Sequence, residues 1–288
     1  MPLTSFVRLN RAFRHWTTPA PSPSPLTTQH AITPNDPALT LQKPHLVVPL
    51  YIYPSPGAWE PLFQAARNSP SVSLIVVVNP CNGPGVEALP DSNYRSVLAQ
   101  LSTFPNIQVL GYVYCSYGTR PIAEVQKDIS VYSGWNLQFK MNGIFFDEVP
   151  STEGDLGLMT SLSHFSRSIW NQSTGQSGIL VYNPGVAVGE GFYRGVDLVV
   201  AFEQSEHQWQ SWYLHQDNPI HLRNKNVAIV HSCSGDAKVL AREMVEMGLG
   251  GLYLTEQSGG GYTHWPKSWL DVVKVLDQVL ITSQEQKD

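Results

Sequence analysis

The feature that most constrains this chain is a recurrence. From His45 to about Leu280, short apolar runs alternate with amphipathic stretches, and polar or Gly/Pro-rich turns separate them. Runs at Leu46–Tyr53, Val72–Val78, Ile107–Tyr114, Gly143–Phe146, Gly178–Tyr182, Val196–Phe202, Asn226–Val230 and Gly250–Leu254 read as strands. They are continuously apolar, as parallel strands covered on both faces must be. Helical periodicity is predicted over Ala58–Arg67, Ser92–Phe104, Pro121–Trp135, Gly154–Trp170 and Ser205–Leu214. Two more helices are expected, one capped by Ser234 or Asp236 and running to Met247, one capped by Ser268. Eight strands, read as each followed by a helix although none is placed between the fifth and the sixth, in about 240 residues match the size of a (β/α)8 TIM barrel. A doubly wound open sheet is the competitor, but no Gly-x-Gly-x-x-Gly follows the first strand. The expectation is an α/β chain with one barrel domain over 44–283, an arm at 1–43 and a short tail at 284–288.

The arm has different chemistry. Pro19, Pro21, Pro23, Pro25, Pro34 and Pro37 alternate with Ser and Thr, which is linker composition. Arg8, Arg11, Arg14 and Lys43 face Asp36 alone, so the arm carries +3; the remainder, with 14 cations and 22 anions, carries −8. An acidic body argues against nucleic-acid binding and fits a neutral or cationic ligand. No apolar run approaches the roughly 20 residues of a membrane span. Three cysteines are too few for a disulfide-stapled fold. Cys81 and Cys115 end adjacent strands, where two free thiols and one bridge are both open. The first residues lack the apolar stretch of a secretory signal, and their basic character leaves a weak presequence, a disordered tail and a misplaced start as alternatives.

In a barrel the strand C-termini converge on one face, and chemistry is built there. Those ends hold Tyr51, Tyr53, Asn79, Tyr112, Tyr114, Asp147, Glu148, Tyr182, Asn183, Glu203, His231 and Tyr253. The Asp147-Glu148 pair follows Gly143-Ile144-Phe145-Phe146, and burying such a pair unpaired would cost several kcal/mol, so it sits where the strand emerges. Loops add Trp59, Tyr117, Tyr193, Trp209, Tyr262 and Trp265. Carboxylates among aromatic faces and amides suit a sugar. Two carboxyl groups flanking a glycosidic bond sit about 5–5.5 Å apart in retaining enzymes and about 6.5–9.5 Å apart in inverting ones. The competing readings are a helix cap at Asp147, a solvated Glu148, and a Glu203 salt bridge to Arg120 or Arg194. The histidines show no metal-binding spacing, and no cofactor is expected, although a carboxylate-only Mg2+ site at Asp147, Glu148 and Glu203 stays open. Gly259-Gly260-Gly261 reads as a loop, with phosphate binding as the alternative.

Several motifs together resemble the spherulin-4 (spherulation-specific) family, glycoside hydrolase family 135. They are Val48-Pro49-Leu50-Tyr51-Ile52-Tyr53-Pro54, Asn79-Pro80 with Gly83-Pro84-Gly85, Gly111-Tyr112-Val113, Tyr117-Gly118-Thr119-Arg120, Gly143 through Glu148, Asn183-Pro184-Gly185 and Phe202-Glu203. They occur in order across about 45–280. The resemblance implies a (β/α)8 barrel and hydrolysis of an α-1,4-linked, N-acetylgalactosamine-containing polysaccharide, galactosaminogalactan. It places the family's acidic residues on Asp147, Glu148 and Glu203. The partner it implies is a polysaccharide or oligosaccharide; separately from the resemblance, the protein is expected to be a monomer. Relatives are commonly secreted or membrane-anchored, which this N-terminus does not signal, so location is left open. A non-catalytic carbohydrate-binding or spore-surface barrel, and a phosphosugar-metabolising one, are the alternative functions.

Overall fold

The computed structural model describes residues 44–214, 220–259 and 261–285. The arm expected at 1–43 lies outside them. The strands are β1 (His45–Leu50), β2 (Ser73–Val78), β3 (Ile107–Tyr114), β4 (Gly143–Asp147), β5 (Ile179–Tyr182), β6 (Leu198–Ser205), β7 (Asn226–His231) and β8 (Gly251–Leu254). All neighbours pair in parallel, and β1 pairs with β8, so the sheet closes in sequence order. This is the expected TIM barrel.

The helices are α1 (Glu60–Asn68), α2 (Ser92–Leu101), α3 (Ile122–Gly134), α4 (Leu156–Thr174), α5 (Glu206–Leu214), α6 (Ala237–Glu246) and α7 (Trp269–Glu285). Asp91 caps α2 by accepting from the amides of Asn93 and Tyr94, and Asp236 caps α6 by accepting from Lys238. Helix α7 includes residues 284 and 285, so the expected tail begins no earlier than 286.

One element differs from expectation. No α-helix links β5 to β6; a 3₁₀ turn at Glu190–Tyr193 does so. The connection contains Pro184, Gly185, Gly189, Gly191 and Gly195, and such a stretch forms a helix at a large propensity cost. The consequence is a long loop at the barrel mouth, beside the end of β5.

Close approach of backbones fixes one glycine. A Cβ on Gly143 would lie 1.8 Å from the Ile179 carbonyl oxygen, and the residue has φ +158°. Strand β4 can start beside β5 only because residue 143 has no side chain. That contact sets the register that pairs Phe146 with Tyr182 and carries Asp147 one step beyond.

Candidate active site

Strand alternation sorts the predicted residues. Asp147 and Asn183, at the ends of β4 and β5, turn into the mouth. Tyr182, one residue before Asn183, must turn out. It is buried against α4, where its hydroxyl contacts Ser163 and donates to the Met159 carbonyl, and its ring meets Phe146 edge-on at 5.7 Å. The expectation that Tyr182 binds substrate is therefore corrected: it belongs to the layer between barrel and helices.

The centre of the mouth is one amide between two acids. Asn183 Nδ2 donates to Asp147 Oδ1 at 2.8 Å and to Glu203 Oε2 at 2.6 Å. Those lengths bound the separation of the two carboxylate oxygens at about 5.4 Å, and an amide whose N–H bonds diverge by about 120° gives about 4.7 Å. The remaining oxygens are also held. Tyr112 donates to Asp147 Oδ2 at 2.7 Å, and Tyr262 donates to Glu203 Oε1 at 2.6 Å. The Glu148 amide is a third donor to Asp147. Asn183 is 6% exposed, and its Oδ1 is left without a hydrogen-bond partner. A buried orphan acceptor costs about 1–3 kcal/mol, so the amide is placed at the expense of stability.

Burial first, and the nearby Glu203 charge second, raise the Asp147 carboxyl to about 6; donors from Tyr112, Glu148 and Asn183 pull the other way. Among the described residues no arginine or lysine pairs with either acid. Arg120, weighed as a partner for Glu203, is bonded to Asp128 at 2.7 Å instead.

Beneath the acids lies a run of edge-to-face tyrosines: Tyr112 on Tyr51 at 5.6 Å, Tyr51 on Tyr262 at 6.0 Å, Tyr262 on Tyr253 at 5.8 Å. Burial raises all four phenols far above the ordinary range, and the acids raise Tyr51, Tyr112 and Tyr262 further, so they stay neutral donors. Tyr262 was expected only as one loop aromatic, yet it bonds Glu203. The triple glycine before it marked the loop that brings it back, but not its target.

The other predicted residues lie further out. Glu148 has φ +50°, outside the strand conformation, and its half-buried carboxylate accepts from the hydroxyl and amide of Ser116. Burial, then Asp147, raise its carboxyl. Tyr53 donates to Asp91 at 3.1 Å, at the start of α2. Asn79 accepts from the Gly83 amide at 2.8 Å and shapes its own loop. The Tyr114 ring lies under the Arg120 guanidinium, 4.0 Å from its centroid. His231, its pKa lowered by burial, contacts the Ser232 hydroxyl at 3.0 Å. Trp59, Tyr193 and Trp209 are buried in the core rather than displayed on loops. Cys81 is exposed, Cys115 buried and Cys233 half-buried; all three are free thiols. No group of three His, Cys, Asp or Glu among the described residues is arranged to hold a metal ion.

Fold and acid cluster together have the form of a glycoside-hydrolase-like barrel. The chain belongs to the spherulation-specific family 4, whose model matches residues 45–276. It is 29% identical over 274 residues to Spherulin-4 of Physarum polycephalum, covering 91% of this chain and 76% of that one. Among solved structures it resembles Sph3 of Aspergillus clavatus in complex with GalNAc, with a TM-score of 0.72 and 30% identity over 82% of this chain and 98% of that one.

Proposed function

We propose that this protein is an endo-acting glycoside hydrolase for an α-1,4-linked polysaccharide containing N-acetylgalactosamine, of the galactosaminogalactan type. The observation that carries the reading is the amide of Asn183 shared by Asp147 and Glu203. It holds two carboxylates at the close spacing that retaining chemistry uses. The GalNAc complex of Sph3 supports the sugar class.

Roles follow from the donors. Three donors orient the Asp147 oxygens, and in its ionised form it stabilises the developing positive charge at the anomeric carbon or attacks that carbon. Glu203 gives its proton to the glycosidic oxygen as the C1–O bond breaks, then takes one from the incoming water. If the substrate acetamido oxygen attacks in place of an enzyme group, Asp147 orients it instead. The neutral hydroxyls of Tyr51 and Tyr112 are placed to meet sugar hydroxyls beside the acids.

The test is a polymer panel. Purified galactosaminogalactan and an N-acetylglucosamine polymer are incubated with the protein, and chain length is followed by size exclusion. The expected result is rapid shortening of the first polymer and little change in the second. Binding without shortening would instead make this a non-catalytic carbohydrate-binding barrel.

A further inference from the structure

The active site contains a strained turn that the acid chemistry does not explain. Between β3 and α3, Ser116 and Tyr117 have φ of +46° and +53°, and across from them Glu148 has φ +50°. Non-glycine residues avoid this region, and each costs of order 1–3 kcal/mol unless its surroundings hold it there. The three residues hold one another. The Tyr117 amide donates to the Glu148 carbonyl at 2.7 Å, and the Cys115 amide donates to the Asp147 carbonyl at 2.8 Å. The Ser116 hydroxyl and amide both donate to the Glu148 carboxylate. Thr119 closes the turn through its amide, at 3.0 Å, and its hydroxyl, at 2.7 Å, both on the Ser116 carbonyl.

What this turn displays is a ring. Tyr117 is 57% exposed, the one aromatic among the exposed large hydrophobic residues described. It is near enough to the mouth that the charges of Glu148, Asp147 and Glu203 all act on its phenol. An exposed aromatic ring is ordinarily free to move. This one is fixed through its own backbone to the strand end that bears the acids. Val186, also exposed, stands on the long β5–β6 loop of the same face.

We infer that Tyr117 is a preset platform for a sugar ring adjoining the cleavage point, and that Glu148 is the positioning residue that holds it there. This rests on the proposed carbohydrate function and deepens it. A flat aromatic face covers the apolar C–H face of a pyranose, and a ring whose backbone is already fixed has less freedom to lose on binding. Glu148 spends its carboxylate on Ser116 and does not act on the sugar. The turn's strain is offset by the three-way lock rather than by glycine, which explains a side chain at 117.

The experiment is calorimetric titration of N-acetylgalactosamine oligomers into the wild type, Tyr117→Ala, Tyr117→Trp, Glu148→Ala and the Tyr117→Ala/Glu148→Ala double variant, each checked for folding by circular dichroism. Tyr117→Ala is expected to weaken binding about tenfold, and Tyr117→Trp to stay within about twofold of the wild type. Glu148→Ala is expected to weaken it by less, and the double variant to bind no worse than Tyr117→Ala alone, because Glu148 acts through the ring. Turnover by the same variants should change in KM, with kcat kept within about threefold. Equal binding by wild type and Tyr117→Ala overturns the inference, as does additive loss in the double variant or a kcat loss in Glu148→Ala comparable to Glu203→Gln. Tyr117-dependent binding without any hydrolysis would remove the hydrolase and keep the platform. A wild type that binds no oligomer overturns both.

Discussion

The two ends of the barrel carry polar clusters built on opposite principles. At the N-terminal end a cavity of roughly 630 Å3 is lined by Gln108, Asn142, Arg167 and Asp197 among others. There Arg167 pairs with Asp197 at 2.9 Å and donates to the carbonyls of Gly178 and Gly195. Asp197 also accepts from the Leu180 amide at 2.7 Å. Opposite charges meet, and loose backbone groups at strand starts find partners. At the C-terminal end two acids meet with only neutral donors between them; a buried unpaired amide oxygen occurs at both ends, Asn183 Oδ1 here and Gln108 Oε1 in the other cavity. The first cluster stabilises the fold. The second costs stability, as sites selected for chemistry do.

The largest test of that contrast concerns pH. The Asp147 carboxyl is raised, so between about pH 4 and about 6 the folded protein holds a proton that the unfolded chain has released. Stability should therefore fall as pH rises through that window, by up to about 3 kcal/mol. Melting temperatures of the wild type and Asp147→Asn, followed across the range, should diverge, with the wild type losing ground. Parallel curves would mean that the acid pair carries no such cost.

The amide between the acids comes next. Asn183→Ala removes a donor that favours ionised Asp147, so Asp147 should release its proton at higher pH. Turnover should fall roughly 10- to 100-fold, and the acid limb of kcat/KM should move upward. An unmoved limb would show that Asn183 does not set the pair.

At the other end, Arg167→Met should cost about 1–2 kcal/mol, read from urea denaturation, by stranding Asp197 and two carbonyls. It should leave kcat/KM unchanged, since nothing there touches substrate. The smallest effect belongs to Tyr182→Phe. Losing the bonds to Ser163 and Met159 should cost about 1 kcal/mol, with turnover within about twofold of the wild type. A specific loss of activity would restore Tyr182 to the site.

The barrel was legible because burial on both faces leaves a mark on every strand: a run such as Val72–Val78 has few other uses. Asp147 and Glu203 were legible for the complementary reason, since acids ending apolar runs have to emerge at a mouth. What failed to show depends on facing and on distant partners. Tyr182 and Asn183 are adjacent, and which one faces inward is decided by the Gly143–Ile179 contact across strands. Tyr262 reaches Glu203 across 59 positions in sequence, and no local pattern encodes such a bond. Glu148 reads as a strand residue until its φ is known; the left-handed twist that turns it to Ser116 is a tertiary choice. The β5–β6 link was read with a helix from the regularity of the others, although its own glycines argued against one.

Reducing-end release from purified galactosaminogalactan, measured from about pH 4 to about pH 8 for the wild type and Glu203→Gln in parallel, tests the acid pair most directly. The expected result is a wild-type rate that rises as pH passes up through about 6, where Asp147 ionises, and a variant at least about a thousandfold slower throughout that still binds the polymer. Equal rates for the two proteins would contradict the assignment of the reaction to Asp147 and Glu203.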